Sequence, residues 1–261
     1  MGKVRNMTCT QAPPASVPVV NIMGVHIAAL DMPRLVRYIS DASSSGIRTG
    51  YFCAANVHTT VTAYEDSGYR AILNNSLLTF PDGGPIAALG RKRGFPEMQR
   101  TAGPDLLREI LSVSAEHGWR HFFYGSTTET LSLMEKNIKN NFPDAVITGM
   151  ISPPFRPLST QEDEAFIQQI NAAEPDFIWV GLGAPKQERW MAEHQGSVSG
   201  LMFGVGAAFD LLAGNYKRAP LWMREHNLEW AYRLLQEPKR LFSRYFFTNL
   251  KFILEAVIKG K

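Results

Sequence analysis

The chain has 261 residues, of which 45% are hydrophobic and 20% charged, and its formal net charge is +3. That length suits one large core with an appendage, and the composition is that of a soluble globular protein rather than a disordered or fibrous one. So small a charge makes no case for nucleic acid as a partner, and no apolar run reaches the roughly 20 residues of a membrane span.

Residues 1–17 have no apolar signal core and read as a disordered lead. From residue 18 the chain alternates apolar runs with amphipathic segments. The apolar runs are VPVVNIMGVHI, GYFCAANV, LLTF, HFFYG, AVITGMI, DFIWVGLG and GLMFGVG. Helix patterns lie between them, among them a continuous one over TTVTAYEDSGYRAILNNS, one after YGSTTET with Ser126 as its cap, and one capped by Ser159 or Thr160. Strands apolar throughout and separated by helices predict an α/β fold: a Rossmann-like, mostly parallel sheet with helices on both faces, over residues 18–215. Residues 216–261 form a basic, amphipathic helical appendage. The two cysteines, Cys9 and Cys53, give neither a disulfide framework nor a metal spacing, which fits a reducing compartment.

In a parallel sheet, ligands bind at the carboxyl ends of the strands. Asp82 follows the strand 77–80 directly, in FPDGGP. A carboxylate held there suits a general base, and the glycine pair gives the backbone conformations closed to other residues. On spacing alone, an Asx turn or a helix cap accounts for Asp82 at least as well. GLGAPKQERW and GVGAAFDLLAG are two further glycine-rich turns into helices. The first sets Lys186 and Gln187 where a phosphate or sugar could be gripped. AANVHTT ends its strand with Asn56 and His58, and a lone histidine is more often structural. The G-x-G turns could serve an NAD(P)-dependent oxidoreductase, but neither completes G-x-G-x-x-G and no ribose-binding acid follows. A transferase using a nucleotide-linked donor is the second reading, and a non-catalytic nucleotide-sugar-binding subunit the third.

FPDGGP, GLGAPKQERW, GVGAAFDLLAG and KRAPLWMREHNLEWAYRLLQEPKRL occur in the order found in the WecG/TagA/CpsF glycosyltransferase family, which the chain resembles from about residue 19 to about 245. The resemblance implies a bacterial enzyme of surface-polysaccharide assembly. Such an enzyme transfers a sugar, with inversion and without a metal, from a UDP-sugar to a sugar-diphosphate-polyprenol at the cytoplasmic face of the membrane. It implies no cofactor beyond the UDP-sugar donor substrate. Carried over by motif, Asp82 is the base, Asn56 a polar pocket residue, and Arg100 an arginine facing the acceptor phosphates. Gln187 lines the pocket and Asp210 contacts the donor. Arg233 and Arg240 reach the diphosphate from the appendage. The family's third appendage arginine falls on Ser243, with Arg244 one residue later. Ala54 stands where some members carry Thr.

The residues themselves support part of this. There is no D-x-D pair for a metal, so cations and helix ends must take up the charge that builds on departing UDP. Arginine suits that task because its planar fork binds phosphate oxygens two at a time. From Lys239 onward six Lys or Arg face one acid, Glu255. In the same tail Phe242, Phe246, Leu250, Ile253 and Val257 recur at helical spacing. Such a stripe fits the surface of an anionic membrane leaflet, and it could equally be covered by the core or by a second copy of the chain as a homo-oligomer.

Overall fold

A computed structural model of the chain describes residues 17–225, 228–236 and 238–261; the side chains of Glu225, Lys239 to Leu241 and Ser243 to Tyr245 lie outside that description. The expected lead over residues 1–17 thus falls, but for Val17, outside the described residues. In chain order the elements are β1 (Val19–Ile22), β2 (Val25–Ala28), α1 (Met32–Ser44), β3 (Thr49–Ala55), α2 (Val57–Glu65), α3 (Ser67–Asn74), β4 (Leu78–Pro81), α4 (Gly84–Lys92), α5 (Gly103–His117), β5 (Arg120–Gly125) and α6 (Thr128–Asn141). Then follow β6 (Val146–Ile151), α7 (Thr160–Ala172), β7 (Phe177–Gly181), α8 (Lys186–His194), β8 (Gly200–Gly204), α9 (Ala208–Ala213), α10 (Leu221–Glu225), α11 (Glu229–Gln236) and α12 (Pro238–Phe252), which ends in a π-helical turn, Ile253–Ile258.

Six strands form one sheet in the order β4-β3-β8-β7-β5-β6, every pair parallel. The first apolar run does not join it. VPVVNIMGVHI folds back at Met23–Gly24 into an antiparallel hairpin, β1 with β2. Strand residues alternate between two cores, as the two-residue period of a strand requires. Tyr51, Cys53, Ile178, Val180 and Met202 face one; Phe52, Phe177, Trp179, Leu201 and Phe203 face the other. On the second face Phe52 stacks on Phe203, and Phe203 on Trp179, each at 4.7 Å; such pairs contribute about 0.5–1.5 kcal/mol beyond their area. Helices α2, α3 and α8 pack on the first face, and α1, α5, α6 and α9 on the second.

His121 is fully buried between these layers, and burial lowers its pKa to about 4. The indole Nε1 of Trp179 donates to its Nδ1 at 3.1 Å. Its Nε2 therefore carries the proton and donates to Ser114 Oγ at 2.7 Å.

Two local expectations change. The continuous helix expected over 59–76 is two helices, because Asp66 leaves helical geometry (φ −122°, ψ 103°) and turns its side chain to cap α3 at Tyr69 N. The cap of α6 is Thr127 rather than Ser126, whose φ of +60° puts it in the preceding turn. Ser159 caps α7 in a reciprocal pair with Glu162.

The appendage is helical and docks on the core. Phe252 and Ala256 are buried in the first core, and Arg93 donates to the carbonyls of Ala256 and Lys261. The stripe Phe242, Phe246, Leu250, Ile253 and Val257 stays exposed, along with Phe247, Leu221, Trp222 and Trp230. Among the described residues no helix is long and apolar enough to cross a membrane.

Candidate functional site

Because all six strands run the same way, the segments after β4, β3, β8 and β7 emerge side by side along one edge. Four strands at about 4.8 Å spacing make an edge roughly 14 Å long. After β3 and β7 the chain turns into helices on one face, and after β8 into α9 on the other. The carboxyl ends of these neighbours therefore open a crevice of the kind that holds ligands.

Asp82 lies at that crevice, half-buried, one residue beyond β4. Its Oδ1 accepts the backbone N–H of Gly103 at 2.8 Å, the first residue of α5. Its Oδ2 accepts Nδ2 of Asn56 at 3.2 Å. Asn56 itself caps α2, with Oδ1 accepting Thr59 N at 3.1 Å. One side chain thus begins a helix and orients the carboxylate. The glycine pair works by closeness and not by conformation. Gly83 has φ −87° and ψ 133°, and Gly84 is already helical. A Cβ at Gly83 would lie 3.0 Å from Asn56 Cα. Absence of that carbon lets the β3 and β4 ends approach until Asn56 reaches Asp82.

Arg100 is half-buried beside them. Its Nε donates to the backbone carbonyl of Asp82 at 3.0 Å, and its Nη2 pairs with Glu229 of α11 at 2.6 Å. Burial opposes its charge, but the carboxylates of Asp82 and Glu229 outweigh burial and raise its pKa. Arg218 pairs with Asp105 at the start of α5. Arg233 is half-buried and lines a shallow depression with Ala207, Arg218, Glu229 and Gln236. The appendage therefore meets the core where Asp82 stands. The side chains of Arg240 and Arg244 lie outside the described residues.

Along the crevice, Lys186 begins α8 and is exposed. Gln187 is only 3% exposed, and its amide is engaged within the protein. Asp210 is half-buried in the first turn of α9, accepting Nδ2 of Asn215 at 3.1 Å. His58 sits in the first turn of α2, its carbonyl accepting the Thr62 hydroxyl. Three partners were not singled out from sequence: the Gly103 N–H, Glu229 and Glu188. Gly103 carries no side chain to signal a role, and Glu229 is one of several acids scattered among the late basic residues, with nothing in its spacing to set it apart. A larger cavity, about 260 Å³, lies at the opposite end of β4 among Val19, His26, Tyr38 and Leu77 and gathers no comparable set of charges. Among the described residues no group of three or more His, Cys, Asp or Glu could hold a metal ion.

The model of the family described as glycosyl transferase WecG/TagA/CpsF matches residues 20–261. A Bacillus subtilis (strain 168) protein named N-acetylglucosaminyldiphosphoundecaprenol N-acetyl-beta-D-mannosaminyltransferase is 32% identical over 195 residues, 72% of this chain and 74% of that protein. Proteins of the same name from Staphylococcus aureus (strain MW2) and Bacillus spizizenii are 28% identical over 227 residues and 29% over 191. They cover 85% and 73% of this chain, and 86% and 72% of their own.

Proposed function

Since the chain belongs to the WecG/TagA/CpsF glycosyl transferase family, we propose that it moves a hexose or N-acetylhexosamine from a UDP-sugar to a sugar-diphosphate-polyprenol, inverting the anomeric centre without a metal ion. The product belongs to bacterial surface-polysaccharide assembly. N-acetylmannosamine and an N-acetylglucosamine-diphosphate-undecaprenol acceptor are the first substrates to try, because the relatives' names carry them. Family membership sets aside the oxidoreductase.

The observation that carries this reading is Asp82, oriented at the crevice by Asn56 and the Gly103 N–H. A sugar hydroxyl attacks well only if its proton leaves as the new bond forms. A positioned carboxylate can take that proton, a contribution of typically 10²–10⁴-fold. Inversion puts the base and the leaving UDP on opposite sides of the anomeric carbon. The turns after β7 and β8 are on the far side of β3 from Asp82, which suits the donor there. Charge building on UDP calls for arginine; the candidates are Arg233, which shares a depression with Ala207 of the turn after β8, Arg240 by motif, and Arg244, one residue past the motif position. Arg100 serves the acceptor diphosphate, and Lys186 and Asp210 border the donor end. The exposed aromatic stripe of α12 suits a peripheral site on the cytoplasmic leaflet, where the lipid acceptor is met.

The test is UDP release from a panel of UDP-sugars with a short-chain lipid-diphosphate-sugar acceptor in EDTA. Release that depends on the acceptor and survives EDTA is expected, and Asp82→Asn should bind UDP while losing most turnover. UDP-sugar binding without turnover in the wild type would leave a regulatory subunit instead.

A further inference from the structure

The start of α8 buries two residues that the motif leads one to expect at a charged surface. Lys186 and Arg189 face solvent, but Gln187 is 3% exposed and Glu188 is fully buried. Oε1 of Gln187 accepts two backbone N–H groups at 3.1 Å each, from Gly183 in the turn after β7 and from Gly206 in the turn after β8. Its Nε2 donates to Glu188 Oε1 at 2.7 Å. The orientation of the amide is forced, because two N–H donors can be met only by an oxygen. The turn is closed from the other side by Gln187 N, which donates to the Gly183 carbonyl at 2.9 Å. Gly183 and Gly206 have φ of +78° and +52°, so these N–H groups point inward from backbone that favours glycine. A Cβ at Gly204 would come within 3.0 Å of Nε2, so β8 itself leaves room for the amide.

We propose that Gln187 and Glu188 are a positioning pair: Gln187 straps the β7–α8 turn to the β8–α9 turn, and Glu188 holds the amide in the orientation that makes the strap. The separation of the two turns then fixes the gap that receives the diphosphate of a nucleoside-diphosphate-sugar. The inference rests on the reading of this edge as the donor side. It differs from a direct contact of Gln187 with substrate, since the side chain is 3% exposed and Oε1 already accepts two N–H groups.

Gln187→Met keeps length and removes the acceptor. The donor KM is expected to rise about tenfold, the equivalent of one net hydrogen bond, with the acceptor KM and kcat within about threefold on the same reasoning that the loss stays on the donor side. Glu188→Gln retains an oxygen that can face Nε2 and should restore wild-type kinetics, whereas Glu188→Leu should behave like Gln187→Met. Amide hydrogen exchange on the unmodified full chain needs no variant: the N–H groups of Gly183 and Gly206 should be protected in the absence of UDP. Fast exchange at both, or an unchanged donor KM in Gln187→Met, overturns the strap. Equal rises in both KM values with a lowered Tm would reduce it to a packing role and overturn it too. If Asp82→Asn stays active, the base assignment fails while the exchange result stands; if Asp82→Asn is dead and Gln187→Met is normal, only the strap fails.

Discussion

Arg100 hydrogen-bonds Asp82 through its backbone and not through its carboxylate: Nε donates to the Asp82 carbonyl at 3.0 Å while Nη2 is bound to Glu229 at 2.6 Å. The carboxylate is left to Asn56 and the Gly103 N–H. The guanidinium thus joins the appendage to the turn that carries the proposed base. A lysine has one nitrogen and cannot span both partners. Arg100→Lys should lower kcat/KM by roughly 10- to 100-fold, the range of a hydrogen bond to a charged group. Steady-state UDP release measures it, and wild-type kinetics would remove the link.

Asn56 has two separable tasks. Serine caps a helix about as well as asparagine, and alanine does not. Asn56→Ser should keep its stability within about 0.5 kcal/mol and lose turnover, because the contact to Asp82 Oδ2 goes. Asn56→Ala should lose turnover and also about 1 kcal/mol of stability from the cap. Urea unfolding alongside kinetics separates the two. Equal turnover in Asn56→Ser and wild type would mean that Asp82 needs no such partner.

Gly83 keeps the two strand ends close without unusual backbone angles. Gly83→Ala should therefore fold, with a stability change of at most about 1–3 kcal/mol from local overpacking. Its turnover should fall much further than its stability, because Asn56 is displaced from Asp82. Parallel Tm and kcat measurements test this, and a large Tm loss with normal kcat would contradict it.

Burial raises the pKa of Glu188, and the hydrogen bond from Gln187 offsets part of that rise. Tyr69 on α3 and Cys53 on β3 face it, and burial raises both of these as well, so neither titrates in the same window. The folded chain therefore keeps the Glu188 proton to higher pH than the unfolded chain. Stability from this group is complete below the ordinary carboxylate pKa of about 4.3 and is lost as pH rises through the folded value. Glu188→Gln has no proton to lose. Its Tm advantage over wild type should grow from about pH 4 upward, the ordinary carboxylate range. A difference that stays flat with pH would show that Glu188 does not titrate between the two states.

Truncating the chain before the tail would uncover Phe252 and Ala256, which are part of the first core, so point variants are the better probe of membrane contact. Phe242→Ser with Phe246→Ser changes two exposed, stacked rings whose centroids are 6.2 Å apart. Binding to anionic vesicles should weaken by roughly 100-fold or more, given about 1.5–3 kcal/mol for each of the two buried aromatics, with Tm unchanged. Undiminished sedimentation with vesicles would point to another surface.

Much of the fold was legible in the chain alone. Apolar strands such as DFIWVG and GLMFG can be buried on both faces only in a covered parallel sheet, and the turns FPDGGP, GLGAPKQ and GVGAAF mark one edge of it. The order of motifs identified the family. Periodicity could not say that 17–27 would turn back on itself, or that Asp66 would break one helix into two. Those outcomes depend on which competing hydrogen bond is available once the pieces meet.

Residue types and their neighbours in sequence determined that a carboxylate and an amide stand just past two strands, in FPDGGP and AANVHTT, because such placements are short-range facts of the chain. Only the tertiary structure decided their partners: strand order brought Asn56 to Asp82, the docked appendage brought Glu229 to Arg100, and helix phase turned Gln187 and Glu188 inward. A hydrogen bond forms within about 3 Å, and at that scale contacts between residues 26 or 129 positions apart are set by packing and not by spacing.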